Sequence, residues 1–214
     1  MYAIKELFYS LQGEGAHAGR AAVFCRFSGC NLWSGREQDR ASAQCNFCDT
    51  EFVGTDGELG AKYSTAEQLT ATIEQLWQRH SHDDSGAKPY VICTGGEPLL
   101  QLDHQLIQSL QQRGFEVAVE TNGTLPAPAG LDWICVSPKG STEIVLTRGD
   151  ELKLVHPQPG VDPAQFNNMA FNSFFLQPLD GPDATASLAA CLDYCRQHPR
   201  WRLSLQMHKL VNIP

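Results

Sequence analysis

Three cysteines carry the strongest chemical signal in this chain. Cys30 is followed by fourteen residues, then Cys45, two more residues and Cys48. A C-x2-C pair delivers two thiolates to one metal centre from a single tight turn, and a third thiolate just past a strand can complete the set. Several readings of the trio stand side by side. Structural zinc takes four ligands, and no fourth is evident in the same loop, although Asp49 or a distant histidine could supply one. A ferredoxin-type cluster also needs four protein ligands, and the tempting fourth, Cys25, lies in an apolar run that reads as core. A four-iron cluster on three thiolates leaves one iron open for a substrate or cofactor. Of the eight cysteines, Cys93, Cys135, Cys191 and Cys195 fit buried thiols, the last two on one helical stripe.

The elements that must position the trio alternate between strand and helix. Ala21–Phe27 is a short apolar run bounded by Gly19–Arg20 and Ser28–Gly29, and Cys30 follows it at once. Ala66–Arg79 has Ser64 and Thr65 as N-caps and Leu69, Ile73, Leu76 and Trp77 at helical spacing. Pro89–Thr94 reads as the next buried strand, ending at Gly95–Gly96. Leu102–Arg113 is helical and stops at Gly114. Phe115–Glu120, Leu131–Val136, Glu151–His156, Ser173–Gln177 and Arg202–His208 read as further strands, with helices expected at Pro163–Met169 and Asp183–His198. This alternation predicts an α/β chain with a mainly parallel sheet and right-handed crossovers. With 214 residues it is too short for a full (β/α)8 barrel, so an incomplete, (β/α)6-like partial TIM barrel in a single domain, 1–214, is the natural architecture. The segment Asn31–Gln44 breaks the pattern: it is polar, with Trp33 its largest apolar group.

Composition excludes some functions. The chain carries 16 basic and 24 acidic residues, a net charge of −8, so direct nucleic-acid binding through a basic face is not expected. No stretch is long and apolar enough to span a bilayer, and the N-terminus MYAIKELFYSLQGEG does not read as a signal peptide, so the expected location is the cytoplasm.

Phe47 just before Cys48, together with Thr94-Gly95-Gly96-Glu97-Pro98 after a strand, resembles the radical S-adenosylmethionine (SAM) superfamily. That superfamily's usual spacing is C-x3-C-x2-C, and the Asn31–Gln44 insertion departs from it. The motifs Leu11-Gln12-Gly13-Glu14-Gly15, Arg26, Cys48-Asp49-Thr50, Glu120-Thr121-Asn122-Gly123, Ser137-Pro138-Lys139, Gln177-Pro178-Leu179-Asp180 and Gln206-Met207-His208-Lys209 narrow the resemblance to the 7-carboxy-7-deazaguanine synthases, from end to end of the chain.

The resemblance implies a [4Fe-4S] cluster on Cys30, Cys45 and Cys48, catalytic SAM, and Mg2+ on Thr50, with Asp49 the alternative ligand. It implies SAM contacts from Phe47, Cys48, Asp49, Gly96, Glu120, Ser137, Pro138, Lys139, Gln177, Pro178, Leu179 and Asp180, with Glu97 and the glycine carbonyls receiving the ammonium group. A pterin carboxylate suits the planar fork of Arg26. Leu11, Gln12, Gly13, Glu14, Thr94, His208 and Pro214 complete the implied substrate set, with His208 at the end of the last strand. The implied substrate is 6-carboxy-5,6,7,8-tetrahydropterin. The implied partners are a flavodoxin or ferredoxin as electron donor and a second copy of the chain. A glycyl-radical activase, a non-catalytic electron-transfer module and a tRNA-binding modification enzyme are the competing classes. Asn31–Gln44 is expected to cover the cluster or to dock the reductase.

Overall fold

The computed structural model describes residues 1–82 and 86–214. Its first strand, β1 (Tyr2–Leu11), runs antiparallel to β2 (Ala21–Phe27) and pairs on its other edge with β3 (Ala61–Tyr63). From β2 onward every pairing is parallel and in chain order: β4 (Tyr90–Gly95), β5 (Glu116–Thr121), β6 (Trp133–Val136), β7 (Arg148–His156), β8 (Ala170–Pro178) and β9 (Trp201–Leu203). Among the described residues the nine-stranded sheet ends at β3 and β9 and does not close. It is the expected partial barrel with a mainly parallel sheet.

Three helices cover its outer face. In α1 (Ala66–His80) the Thr65 hydroxyl accepts the Gln68 N–H, and Leu69, Ile73 and Leu76 form the buried stripe. In α2 (His104–Gln112) the Asp103 carboxylate accepts the Leu106 N–H and Leu106, Ile107 and Leu110 are buried. These two pack on β1, β2, β4 and β5 in one core, while α3 (Ala184–Gln197) covers β7 to β9 in a second core containing Leu152, Leu154, Phe174 and Trp201. Each fully buried Leu or Ile contributes roughly 1.5–3 kcal/mol. Among the described residues there are fewer helices than strand units. No α-helix is described between β5 and β6, where Pro126 and Pro128 remove backbone donors, nor between β6 and β7. Pro163–Met169 reduces to the 3₁₀ turn Pro163–Phe166.

Three further stretches differ from the sequence expectation, the first being the short edge strand β3, for which no element is expected. The N-terminal ten residues, for which no element is expected, form β1. Its apolar Ile4, Leu7, Phe8 and Leu11 sit at helical spacing, so the period of two is masked. The last strand stops at Leu203 instead of running to His208. Only three residues pair with β8, and the Met207 N–H then turns to the Gly13 carbonyl, which draws the chain off the sheet into the short helix α4 (Met207–Val211). His208 is therefore a helical residue.

The inner face of the sheet follows the period-two rule. Ala22, Tyr90, Ile92 and Ala118 fill its lower part. One step toward the C-terminal ends, Arg26 of β2, Thr94 of β4, Glu120 of β5, Lys153 of β7 and Gln177 of β8 line cavities on this face. That end of a parallel barrel is where loops and strand termini assemble a site.

Candidate functional site

Cys30, Cys45 and Cys48 line one wall of a cavity of about 380 Å³. All three are free thiols. The Cys45 thiol hydrogen-bonds to the Cys48 sulfur, which favours ionisation of Cys48 and pushes Cys45 up; burial raises Cys30. Among the described residues no three Cys, His, Asp or Glu side chains converge on a point as one bound ion requires. A cubane brings its own sulfides and needs a wider frame of thiolates around an open chamber, and this donor set fits it. Loading it displaces the protons the thiols now hold.

The loop carrying the trio is pinned from three sides. The Glu97 N–H bonds the Gly29 carbonyl, and a Cβ on Gly96 would lie 2.2 Å from that carbonyl and 2.8 Å from Cys30 Cβ. Gly96 is thus needed for the close approach of the cysteine loop to the end of β4. Within Asn31–Gln44, Trp33 is buried edge-on against Phe52, and the Arg40 guanidinium lies 4.2 Å from the Trp33 ring centroid. Arg40 Nη1 donates to the carbonyls of Asn46 (3.1 Å) and Cys48 (2.9 Å). The insertion therefore clamps the C-x2-C turn. Asn122 Nδ2 donates to Asn31 Oδ1 and ties the start of the insertion to the loop after β5.

Of the residues expected around SAM, Phe47, Cys48, Asp49, Gly96, Glu120, Ser137, Lys139, Gln177, Pro178, Leu179 and Asp180 line this cavity. Pro138 does not; its carbonyl accepts from Gln158 Nε2 behind the wall. Glu97 is fully buried and does not reach the cavity. Its oxygens accept the Leu99 and Asn122 N–H groups and the Thr121 hydroxyl, joining β4 to β5, so it is committed to holding the fold and cannot receive an ammonium group.

A second cavity of about 320 Å³ adjoins the first. Leu11, Gln12, Gly13, Glu14, Arg26, Thr94, His208 and Pro214 all line it. The two share Glu14, Asp49, Thr50, Thr94, Glu120 and Gln206 as common wall. A Cβ on Gly13 would meet His208 Nδ1 at 2.3 Å, so the glycine lets α4 close against the Leu11–Glu14 segment. The Ser10 hydroxyl donates to the Pro214 carbonyl at 2.9 Å and holds the C-terminal residue in place. Arg26 Nε donates to Glu6 Oε1 at 2.7 Å. Lys209 bridges Asp49 (2.7 Å) and Asp180 (2.6 Å) across the cleft.

Several wall residues carry no recognisable signal in the sequence. Phe8 and Phe24 stack with ring centroids 5.0 Å apart in the second cavity. Glu6, Phe8 and Gln12 alternate along β1 and beyond, as Phe24 and Arg26 do on β2, a signal hidden once β1 is not recognised. Lys153 is another. It lies buried between Glu14 and Glu120, 2.8 Å from a carboxylate oxygen of each. Burial would raise the Glu14 carboxyl, but Lys153, with help from Gln206 and His208, brings it down to about 2.

Comparison with known proteins decides the family. Residues 38–154 match the Radical SAM superfamily, a span that takes in Cys45, Cys48 and Thr94–Pro98 but not Cys30. Over 212 residues the chain is 60% identical to a 7-carboxy-7-deazaguanine synthase of Bradyrhizobium diazoefficiens, covering 99% of each chain. It is 59% identical to one from Bordetella pertussis, covering 100% of this chain and 99% of that one. The chain belongs to the 7-carboxy-7-deazaguanine synthase family. The crystal structure of QueE from Escherichia coli superposes with a TM-score of 0.66 at 28% identity, over 97% of this chain and 94% of that one. Membership of the radical SAM superfamily brings a [4Fe-4S] cluster and SAM, for which the cysteine wall and the chamber before it are suited.

Proposed function

We propose that this chain converts 6-carboxy-5,6,7,8-tetrahydropterin to 7-carboxy-7-deazaguanine and ammonia, a carbon–nitrogen lyase reaction by radical ring contraction in 7-deazapurine biosynthesis such as that of queuosine. The observation that carries this reading is the pair of adjoining chambers. One is walled by three thiols, and the other by an arginine, carboxylates and aromatic rings, with Glu14, Thr50, Thr94 and Glu120 common to both. Bound there, a cluster and SAM would supply the one-electron chemistry that removes a hydrogen atom from the substrate. The chain's own residues bind, orient and exclude water.

Cys30, Cys45 and Cys48 hold the cluster. Phe47, Gly96, Ser137, Lys139 and the Gln177–Asp180 segment bound the SAM chamber, and Glu120 stands where it can meet a ribose or the substrate. In the substrate chamber Arg26 receives the carboxylate through the end of its guanidinium that Glu6 does not occupy. Gln12 and Glu14 meet the donor edge of the pterin, Phe8 and Phe24 give it an apolar floor, and His208, Thr94 and Pro214 close the sides. Thr50 on the common wall is the Mg2+ ligand, together with substrate oxygens and water. Asp49 is already committed to Lys209.

The reading includes one domain over 1–214, supported by a cavity wall drawn from residues 5 to 214. It also includes a homodimer, reduction by a flavodoxin or ferredoxin, and a cytoplasmic location. Among the described residues no helix is long and apolar enough to cross a membrane. The test is anaerobic incubation of reconstituted protein with reductant, SAM and 6-carboxytetrahydropterin. Appearance of 7-carboxy-7-deazaguanine supports the reading, and SAM cleavage that ignores the pterin contradicts it.

A further inference from the structure

Lys153 stands on the inner face of β7 and is 3% exposed. Its ammonium lies between Glu14 Oε2 and Glu120 Oε2, 2.8 Å from each. The opposite oxygens are also engaged: Glu14 Oε1 accepts from Gln177 and Gln206 amides, and Glu120 Oε1 accepts from the Gln12 amide, each at 3.0 Å. One buried cation thus fixes both carboxylates in rotamer and in charge. A buried ion pair is weak evidence for stability as such. This one does not sit in a core; both glutamates form the wall common to the two cavities.

An ionised carboxylate only accepts hydrogen bonds, whereas a protonated one also donates. Two neighbouring buried carboxylates without a counter-charge would take up a proton. The groups around Lys153 are Glu14, Glu120, Glu151 and the Cys135 thiol, with His208 near Glu14. Burial alone would lower the lysine, and these acids more than reverse it.

We propose that Lys153 is a positioning and specificity-determining residue, which locks Glu14 and Glu120 as paired acceptors and so restricts the substrate chamber to a planar heterocycle presenting N–H donors along its edge. This rests on the functional reading given above. The mechanism is indirect: Lys153 acts on the ligand through the two glutamates.

The test uses reconstituted full-length protein and 6-carboxypterin as the probe, titrated at acidic and neutral pH, in wild type, Lys153→Met and Lys153→Met with Glu120→Gln. The double variant removes one of the two unpaired carboxylates and serves where the single one does not fold. Wild-type affinity is expected to change little over that range. Lys153→Met is expected to bind at least about ten-fold more weakly at the acidic end and to recover as pH rises, because a released carboxyl titrates upward into the measured range. KM should rise more than kcat falls. A merely structural role would lower the folded fraction without giving the bound probe a new pH dependence. Wild-type activity with unshifted affinity and pH profile in the folded variants overturns the assignment alone. A wild-type protein that neither binds the probe nor forms product overturns the functional reading, and this assignment with it.

Discussion

In the proposed function, carboxylate recognition falls to Arg26, which lines the second cavity. Replacing it with lysine keeps the charge and loses the planar fork, so KM for the carboxylated pterin should rise roughly ten-fold or more with SAM affinity unchanged. Steady-state kinetics check this, and an unchanged KM removes Arg26 from the substrate site. Glu14 makes a pH prediction. Its carboxyl is held from the usual 4.5 down to about 2 in the folded chain. A lowered value stabilises the fold fully above the unfolded value and loses that contribution as pH falls toward the folded one. Glu14→Gln should therefore be less stable than wild type at neutral pH, and the gap should narrow as pH falls from about 4.5 to about 2. Denaturant melts at each pH read the gap; a constant difference contradicts the pairing with Lys153. At this scale the motifs were legible because cysteines, glycine turns and Arg26 announce themselves by type and spacing. Lys153 and Phe24 were not, because within apolar or mixed strands they look like any alternating residue until the sheet shows which face is inner. Glu97 misled for the opposite reason: a carboxylate in a ligand-like motif is spent entirely on backbone and Thr121.

The elements that announced themselves are those with one clear period. Ala21–Phe27 is β2 to the residue, and α1 begins where its threonine cap placed it. The strand β1 was hidden because Ile4, Leu7, Phe8 and Leu11 satisfy helical spacing as well. The end of the chain was misread because only contact with Gly13 turns Met207 away from the sheet. The insertion between Cys30 and Cys45, whose role the sequence left open, is locally ordered around Arg40. Arg40→Ala should lower iron content after reconstitution and speed loss of the cluster absorbance to a chelator, with the circular dichroism spectrum unchanged. Equal loading and equal chelator resistance would show that the clamp on Cys48 does nothing for the cluster. In the outer core, Leu106→Ala deletes a fully buried side chain between α2 and the sheet. It should cost about 2–5 kcal/mol of stability, read from the denaturation midpoint.

At the scale of the whole molecule, an open parallel sheet presents its C-terminal strand ends to two adjoining chambers, and the N-terminal strand, the cysteine loop and the C-terminal helix close them. Residues far apart in sequence, such as Ser10 and Pro214, meet only here. Pro214 is exposed yet lines the cavity wall, so an extension joined to it starts at the mouth of the second cavity. A C-terminal extension is expected to depress turnover, and the same extension before Met1 is not. The alternation of strands and helices predicted the partial barrel, and no helix was expected or is described between β5 and β6 or between β6 and β7, where prolines and short loops make the connection. Three thiols facing an open chamber are suited to a cluster-dependent enzyme. The most direct measurement is anaerobic reconstitution with iron and sulfide, followed by reductant, SAM and 6-carboxytetrahydropterin, with iron content and product read in wild type and Cys30→Ala. Wild type is expected to carry a [4Fe-4S] cluster and to form 7-carboxy-7-deazaguanine, and Cys30→Ala to show neither a stable cluster nor product. Wild-type protein that takes up only zinc and forms no product, or a Cys30→Ala variant that turns over normally, would contradict this.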